Sequence, residues 1–531
     1  MARRRLRQRT LRHSAGAAAV AASPAAARWL PLVLVVAAAL VYANSLSGPF
    51  LFDDENSIVR NPQIRQLWPI AVPLSPPRDT PVAGRPLVNF SFALNYAADG
   101  LDVGGYHVVN IAIHTLAALV LFGIVRRHLP AGAALVCALI WLLHPLQTEP
   151  VNYLTQRTEL LMGLCYLLVL YCAIRGWTRA SIVACAAGML CKESMVTAPL
   201  MVVLYDRVFV YGSFREAFRA RRTLYAGLAA TWLVLAAVMA TRPRTSVGFD
   251  GLVTPWVYLL NQMEMIARYL WLTVWPRALV LDYGLPRPLT LGDVWPQALL
   301  LVSLGAATLI ALVRWPRIGF LAACFFITLA PTSSIVPIQT EVGAERRMYL
   351  PLAALVVLAV VAVYRLAPRK TYGIVVATVV CLLLATGTIL RNREYRSRLS
   401  IAQTVVDRWP SGRGYFLLGS ELVEAGRNAE AMVALRASAR DYPGAHFALG
   451  TELLAAGKVD EAIVELEEFL RLQPDHASAV PAHDMLGRAY VSKRDPERAL
   501  QHFAVVLRTP GYPFHAEVQG YVNQLQALIK R

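Results

Sequence analysis

The chain has 531 residues, 56% of them hydrophobic and only 16% charged, with a mean hydropathy of +0.46. That balance excludes a wholly water-soluble globular protein of this length. The formal net charge of +18 invites a nucleic-acid reading, but its distribution argues against one: basic residues crowd the gaps between apolar runs, and no aromatic-interleaved basic face accompanies them.

Residues 1–28 form a basic N-terminus, with Arg3, Arg4, Arg5, Arg7, Arg9 and Arg12 ahead of the first apolar run, and are expected on the cytoplasmic side. The first span runs from about Trp29 to Leu46. Val41-Tyr42-Ala43 resembles a signal-peptide cleavage site, but the length of the run favours an uncleaved anchor. Residues 48–106 follow as a long outer loop. Further spans are expected near 108–125, 131–147, 158–174, 180–191, 194–210 and 223–241.

Pro255 to Trp275 is long enough to span but carries Gln262, Glu264 and Arg268. Read as an interfacial amphipathic helix, it leaves Arg314/Arg317 and the Arg365, Arg369, Lys370 cluster on the cytoplasmic side. Spans near 294–313, 318–331, 347–366 and 371–390 complete a membrane domain over 29–390 with about 11 crossings. The N-terminus is then inside and everything after the last span outside. Arg391, Arg393, Arg396 and Arg398 disagree, because they fall just outside that span. All seven cysteines lie in the membrane region, without zinc-ligand spacing, and read as small buried hydrophobes. Scarce lysine beside arginine and abundant alanine hint at a GC-rich bacterial source.

A linker over 391–411 leads to a repeat domain over 412–531. Leu418-Gly419, Leu449-Gly450 and Leu486-Gly487 each precede an alanine (Ala431, Ala462, Ala499) and then a bulky residue (Leu435, Leu466, Phe503). The spacing predicts tetratricopeptide helix hairpins, in which a small residue lies where two helices cross and a large one fills the hole beside it. The fold class is therefore all-α: a polytopic membrane bundle followed by a soluble α-solenoid. Three such units leave a concave face for a partner, or are plain helical hairpins without a groove, and the sequence is silent on the ligand.

Chemistry-bearing residues collect at the expected outer edges. Asp53, Asp54 and Glu55 follow the first span, Arg85 lies further along the loop, and His144, Glu149 and Arg157 bracket one outer turn. Lys192 sits at a second turn, and Arg346 and Tyr349 begin a later span. Ionisable groups at such depths are costly and tend to be functional. Each also has a plainer reading: Asp53 and Asp54 as a solvated loop or helix cap, Arg85 as a lipid-headgroup contact, the others as structural ion pairs.

The segments FDDENSIVRNPQI, RPLVNFSFALNYAADGLDVGGYHVVNIAIH, HPLQTEPVNYLTQRTELL, CKESMVTAPL and ERRMYLP, in this order and ahead of the repeats, resemble the transmembrane and tetratricopeptide-repeat O-mannosyltransferase family. The resemblance implies a GT-C fold, a polyprenyl-phosphate sugar as donor and an acidic catalytic residue in the first outer loop, at Asp53 or Asp54. On that basis Asp54 is expected to be the general base, with Asp53 orienting it. Arg85, Arg157, Lys192 and Arg346 are expected to hold the donor phosphate. His144, Glu149 and Tyr349 are expected to position sugar or acceptor. No cofactor and no metal are expected, since a monophosphate donor does not require one, although an acidic pair is able to hold a metal. The expected partners are the polyprenyl-phosphate sugar, membrane lipids, and an acceptor or partner protein on the repeats. The expected location is a bacterial inner membrane with the repeats in the periplasm. Two other readings stay open: transfer to a lipid or polysaccharide, and a noncatalytic scaffold, which would have no need of the acidic pair.

Overall fold

The computed structural model describes residues 28–78, 80–241, 248, 253–366 and 370–529, and every regular element among them is helical. The arginine-rich leader, Arg369 and the Lys370 side chain lie outside the described residues. The chain divides into two units. One holds the apolar helices up to Arg396, and the other holds Ser397 onwards together with Val280–Leu285 and Thr340–Val342.

Among the described residues of the first unit, six helices are long and apolar enough to cross a membrane: Val103–Val125, Leu154–Arg175, Glu193–Tyr211, Arg222–Thr241, Leu291–Arg314 and Thr371–Glu394. A bent pair, Ala131–Leu143 with Pro145–Asn152, makes a possible seventh, with an angle of 56° at the break. Leu30–Ser45, Pro316–Leu329 and Pro351–Leu366 are shorter apolar helices, and the run expected at 180–191 is the 12-residue helix Thr178–Met189. Each apolar run is thus helical. Length and composition alone, however, give six or seven crossings rather than about 11, because a helix of 12 to 16 residues rises only roughly 18–24 Å against a core of ~30 Å. The expected interfacial segment is the helix Pro255–Val274, which is not among the six. It is two-faced: Trp256, Trp271 and Val274 are exposed, while Tyr258, Gln262, Met265 and Tyr269 are buried.

The bent pair breaks for a local reason. Pro145 has no N–H to donate and forces the residue before it out of the helical region, so His144 is extended, with ψ 131°. Nearby, Trp141, His114 and Tyr349 form an aromatic knot with ring centroids 4.9–5.6 Å apart. Gly163 makes room for it, since a Cβ there would lie 2.4 Å from Tyr349 Cε1. Of the seven cysteines, five are buried and Cys324 and Cys381 are half-buried; all have free thiols.

The second unit opens with Arg398–Arg408 and continues as helix hairpins: Gly412–Glu424 with Asn428–Ser438, Gly444–Ala455 with Val459–Leu472, and Ala479–Ser492 with Pro496–Leu507. His515–Ile529 closes the stack. The predicted small-to-large pairing is present in all three hairpins. A Cβ on Gly419 would meet Leu435 at 2.8 Å, on Gly450 Leu466 at 2.7 Å, and on Gly487 Phe503 at 2.3 Å. Ala431, Ala462 and Ala499 are fully buried beside them.

Candidate active site

The acidic loop is built on a strained turn. Phe52 has φ +35°, a conformation that non-glycine residues seldom adopt, and strain of this kind persists only where neighbours over-determine it. Those neighbours come from the 153–155 turn. The Tyr153 hydroxyl accepts from the Asp53 amide at 3.0 Å, and Asp54 Oδ1 accepts from the Thr155 amide at 2.6 Å and from the Thr155 hydroxyl. Asp54 Oδ2 accepts from the Leu51 amide at 2.8 Å. Asp54 is fully buried, whereas Asp53 is exposed. Burial pushes the Asp54 carboxyl up to about 7, against three hydrogen bonds that favour its charged form.

This corrects the expected division of labour. Both Asp54 oxygens are engaged within the protein and its side chain is buried, so the pair presents Asp53 outward and uses Asp54 as its anchor.

Three of the four expected cations are each paired with a carboxylate. Lys192 Nζ lies 2.5 Å from Glu159 Oε1, both nearly buried. Arg346 pairs through its guanidinium with Glu149, whose other oxygen accepts from the Arg346 amide at 2.9 Å. Arg85 Nη2 is 3.3 Å from Glu193 Oε2. Lys192 feels Glu159, Arg85 and Arg346, and Tyr153 feels Asp53, Asp54 and Arg346, so these groups form one connected cluster. Burial lowers the Lys192 ammonium, with Glu159 opposing it. Glu149 is the fully buried counter-ion that fixes Arg346, rather than a substrate contact as expected.

Three expected residues have other roles. Arg157 is fully buried and each guanidinium nitrogen is engaged: Nε on Asn110 Oδ1 at 2.7 Å, Nη1 on Asn95 Oδ1 at 2.6 Å, and Nη2 on the Tyr106 carbonyl at 3.1 Å. Its guanidinium also stacks 4.5 Å from the Phe92 ring centroid. It staples the outer loop to the bundle. His144 Nδ1 accepts the Leu146 amide at 3.2 Å and Nε2 faces the Thr273 carbonyl at 3.1 Å, so it caps the helix after the break. Tyr349 is 1% exposed, with its hydroxyl 3.0 Å from His114 Nδ1, and belongs to the core.

Sequence reasoning missed Tyr153 and Thr155, which hold the acidic pair. The signal available was their position inside a polar interruption of an apolar run. It also missed the arginine cluster's resolution: Arg391 is buried and paired with Glu394, and Arg398 lies 3.4 Å from Glu424, so two of the four dissenting arginines have local carboxylate partners. Among the described residues no group of three or more His, Cys, Asp or Glu side chains is gathered as a metal site.

An all-helical membrane bundle with buried carboxylate–cation pairs, followed by tetratricopeptide-type hairpins, defines an integral membrane protein with a helical-repeat unit. No family model matches the chain. Its curated relatives are the O-mannosyltransferases that its motifs resemble. It is 27% identical over 353 residues to the protein O-mannosyl-transferase Tmtc1 of Drosophila melanogaster, covering 58% of this chain and 40% of that one. It is 26% identical over 439 residues to the protein O-mannosyl-transferase F38B6.6 of Caenorhabditis elegans, covering 75% and 61%. Human TMTC4, also a protein O-mannosyl-transferase, is 26% identical over 491 residues, covering 76% and 65%. The chain thus spans less than two thirds of the length of each of these relatives. Among solved structures, ArnT from Cupriavidus metallidurans bound to undecaprenyl phosphate is 18% identical, with a TM-score of 0.40, covering 86% of this chain and 77% of that one.

Proposed function

We propose that this protein is a membrane glycosyltransferase that moves a sugar, mannose by analogy with its relatives, from a polyprenyl-phosphate donor to a serine or threonine hydroxyl of an exported protein. The observation that carries the reading is an outward carboxylate, Asp53, on a strained turn in the same electrostatic cluster as Arg346, Lys192 and Arg85. Asp53 takes the proton from the acceptor hydroxyl as its oxygen attacks the anomeric carbon. The bond from that carbon to the phosphate oxygen breaks, and the electron pair leaves with the lipid phosphate. The cations stabilise the charge that develops there, in a setting dry enough for the attraction to count. Direct displacement inverts the anomeric centre. Asp54 is a positioning residue, tying the turn to Thr155. The site and the repeats face the periplasm of a bacterial inner membrane, and the repeats recruit the acceptor or a partner.

The test is transfer of labelled sugar from polyprenyl phosphate by purified protein. Asp53→Asn is expected to lower the rate by about 10²–10⁴-fold with the fold intact. Undiminished transfer by a folded Asp53→Asn variant would remove Asp53 as the base, and no transfer by the wild type would leave only the scaffold reading.

A further inference from the structure

Among the cations of the site, Arg85 is held least completely. Its partner oxygen, Glu193 Oε2, is 3.3 Å from Nη2, beyond the roughly 2.7–2.9 Å usual for a charge-assisted N–H···O bond. The Glu193 side chain is 36% exposed while that of Arg85 is only 9% exposed, so the anion of this pair reaches solvent and the cation does not. Arg85 Nε is buried without an acceptor among the described residues. A guanidinium out of water with an unused N–H is costly unless another acceptor fills the position at some stage. The Lys192–Glu159 and Arg346–Glu149 pairs differ, having short contacts and carboxylates buried as deeply as their cations or more so.

We infer that Glu193 is a displaceable placeholder for the donor phosphate: it neutralises Arg85 in the empty site and swings toward solvent when a polyprenyl-phosphate oxygen takes over Nε and Nη2. The inference rests on the glycosyltransferase reading and adds a residue that tunes donor affinity. The sugar-linked phosphate is a diester with one negative charge, and breaking the sugar bond leaves a monoester with more. The pull on Arg85 therefore grows as the reaction proceeds, so the guanidinium favours the transition state over the bound donor. Glu193 sets how much of that pull is spent on exchanging partners.

The test compares binding of polyprenyl phosphate in mixed micelles by wild type and Glu193→Gln, with the uncharged polyprenyl alcohol as control. Removing the competing charge is expected to tighten phosphate binding about two- to fivefold, the size of a half-exposed ion pair, and to leave the alcohol unchanged. In an Arg85→Gln background the gain is expected to vanish. Equal or weaker phosphate binding by Glu193→Gln would make the pair a structural brace and overturn the inference alone. A wild type that binds no polyprenyl phosphate would overturn the glycosyltransferase reading as well.

Discussion

Asp54 couples the site to pH. Its carboxyl titrates at about 7 in the folded protein because burial disfavours the charge, against 3.8 for a free side chain. Between those values the folded chain holds a proton that the unfolded chain has released. The stabilisation is therefore complete below the unfolded value and is lost as pH rises through about 7. The melting temperature of the detergent-solubilised protein is expected to fall from pH 5 to pH 8, with a shallower slope in Asp54→Asn; an unchanged slope would deny the buried titration. At Gly163 the constraint is steric. Alanine there would drive its Cβ into the Tyr349 ring, which cannot retreat because its hydroxyl is tied to His114 and its carbonyl accepts from Trp141 at 2.8 Å. Gly163→Ala is expected to cost about 1–3 kcal/mol, read as a lowered unfolding midpoint.

Among the elements, the hairpins depend on one repeated contact. In the third, Phe503 is fully buried and its ring closes over Gly487. Phe503→Ala is expected to destabilise the second unit by about 3–5 kcal/mol through lost burial and a cavity. Gly487→Ala overpacks the same crossing, and the gain in helix propensity of about 1 kcal/mol does not offset a clash at 2.3 Å. Because the two residues touch, Gly487→Ala is expected to cost less in a Phe503→Leu background, and strict additivity in denaturant unfolding of the full chain would refute the contact. The 153–157 turn plays a similar part in the first unit: Tyr153 and Thr155 hold the acidic loop, and Arg157 holds the loop's later portion.

For the molecule as a whole, the proposed orientation puts Asp53, Arg85, Lys192, Arg346 and the repeats on one side of the membrane. Single cysteines at exposed Asn56 and Lys493 are expected to react with an impermeant thiol reagent from outside the inner membrane, and one at exposed Arg215 is expected to be protected. Protection at Asn56 would reverse the orientation. Protection at Lys493 alone would change the number of crossings between the site and the repeats, a number that the short helices Thr178–Met189 and Pro351–Leu366 leave dependent on how the bilayer accommodates them.

Apolar run length and the glycine–alanine–bulky rhythm determined the all-helical class and the packing of each hairpin, because those features act within a turn or two of helix. The same locality made Asp53 and Asp54 recognisable as a pair. Which of the two faces outward was decided only in three dimensions, by a turn 100 residues away that buries Asp54 against Thr155. Tertiary packing likewise made Arg157 a staple, His144 a helix cap and Tyr349 core, and left Arg85 with a buried N–H to spare. A side chain's type fixes what it is able to donate or accept; whether that capacity is already used depends on partners brought near by the fold.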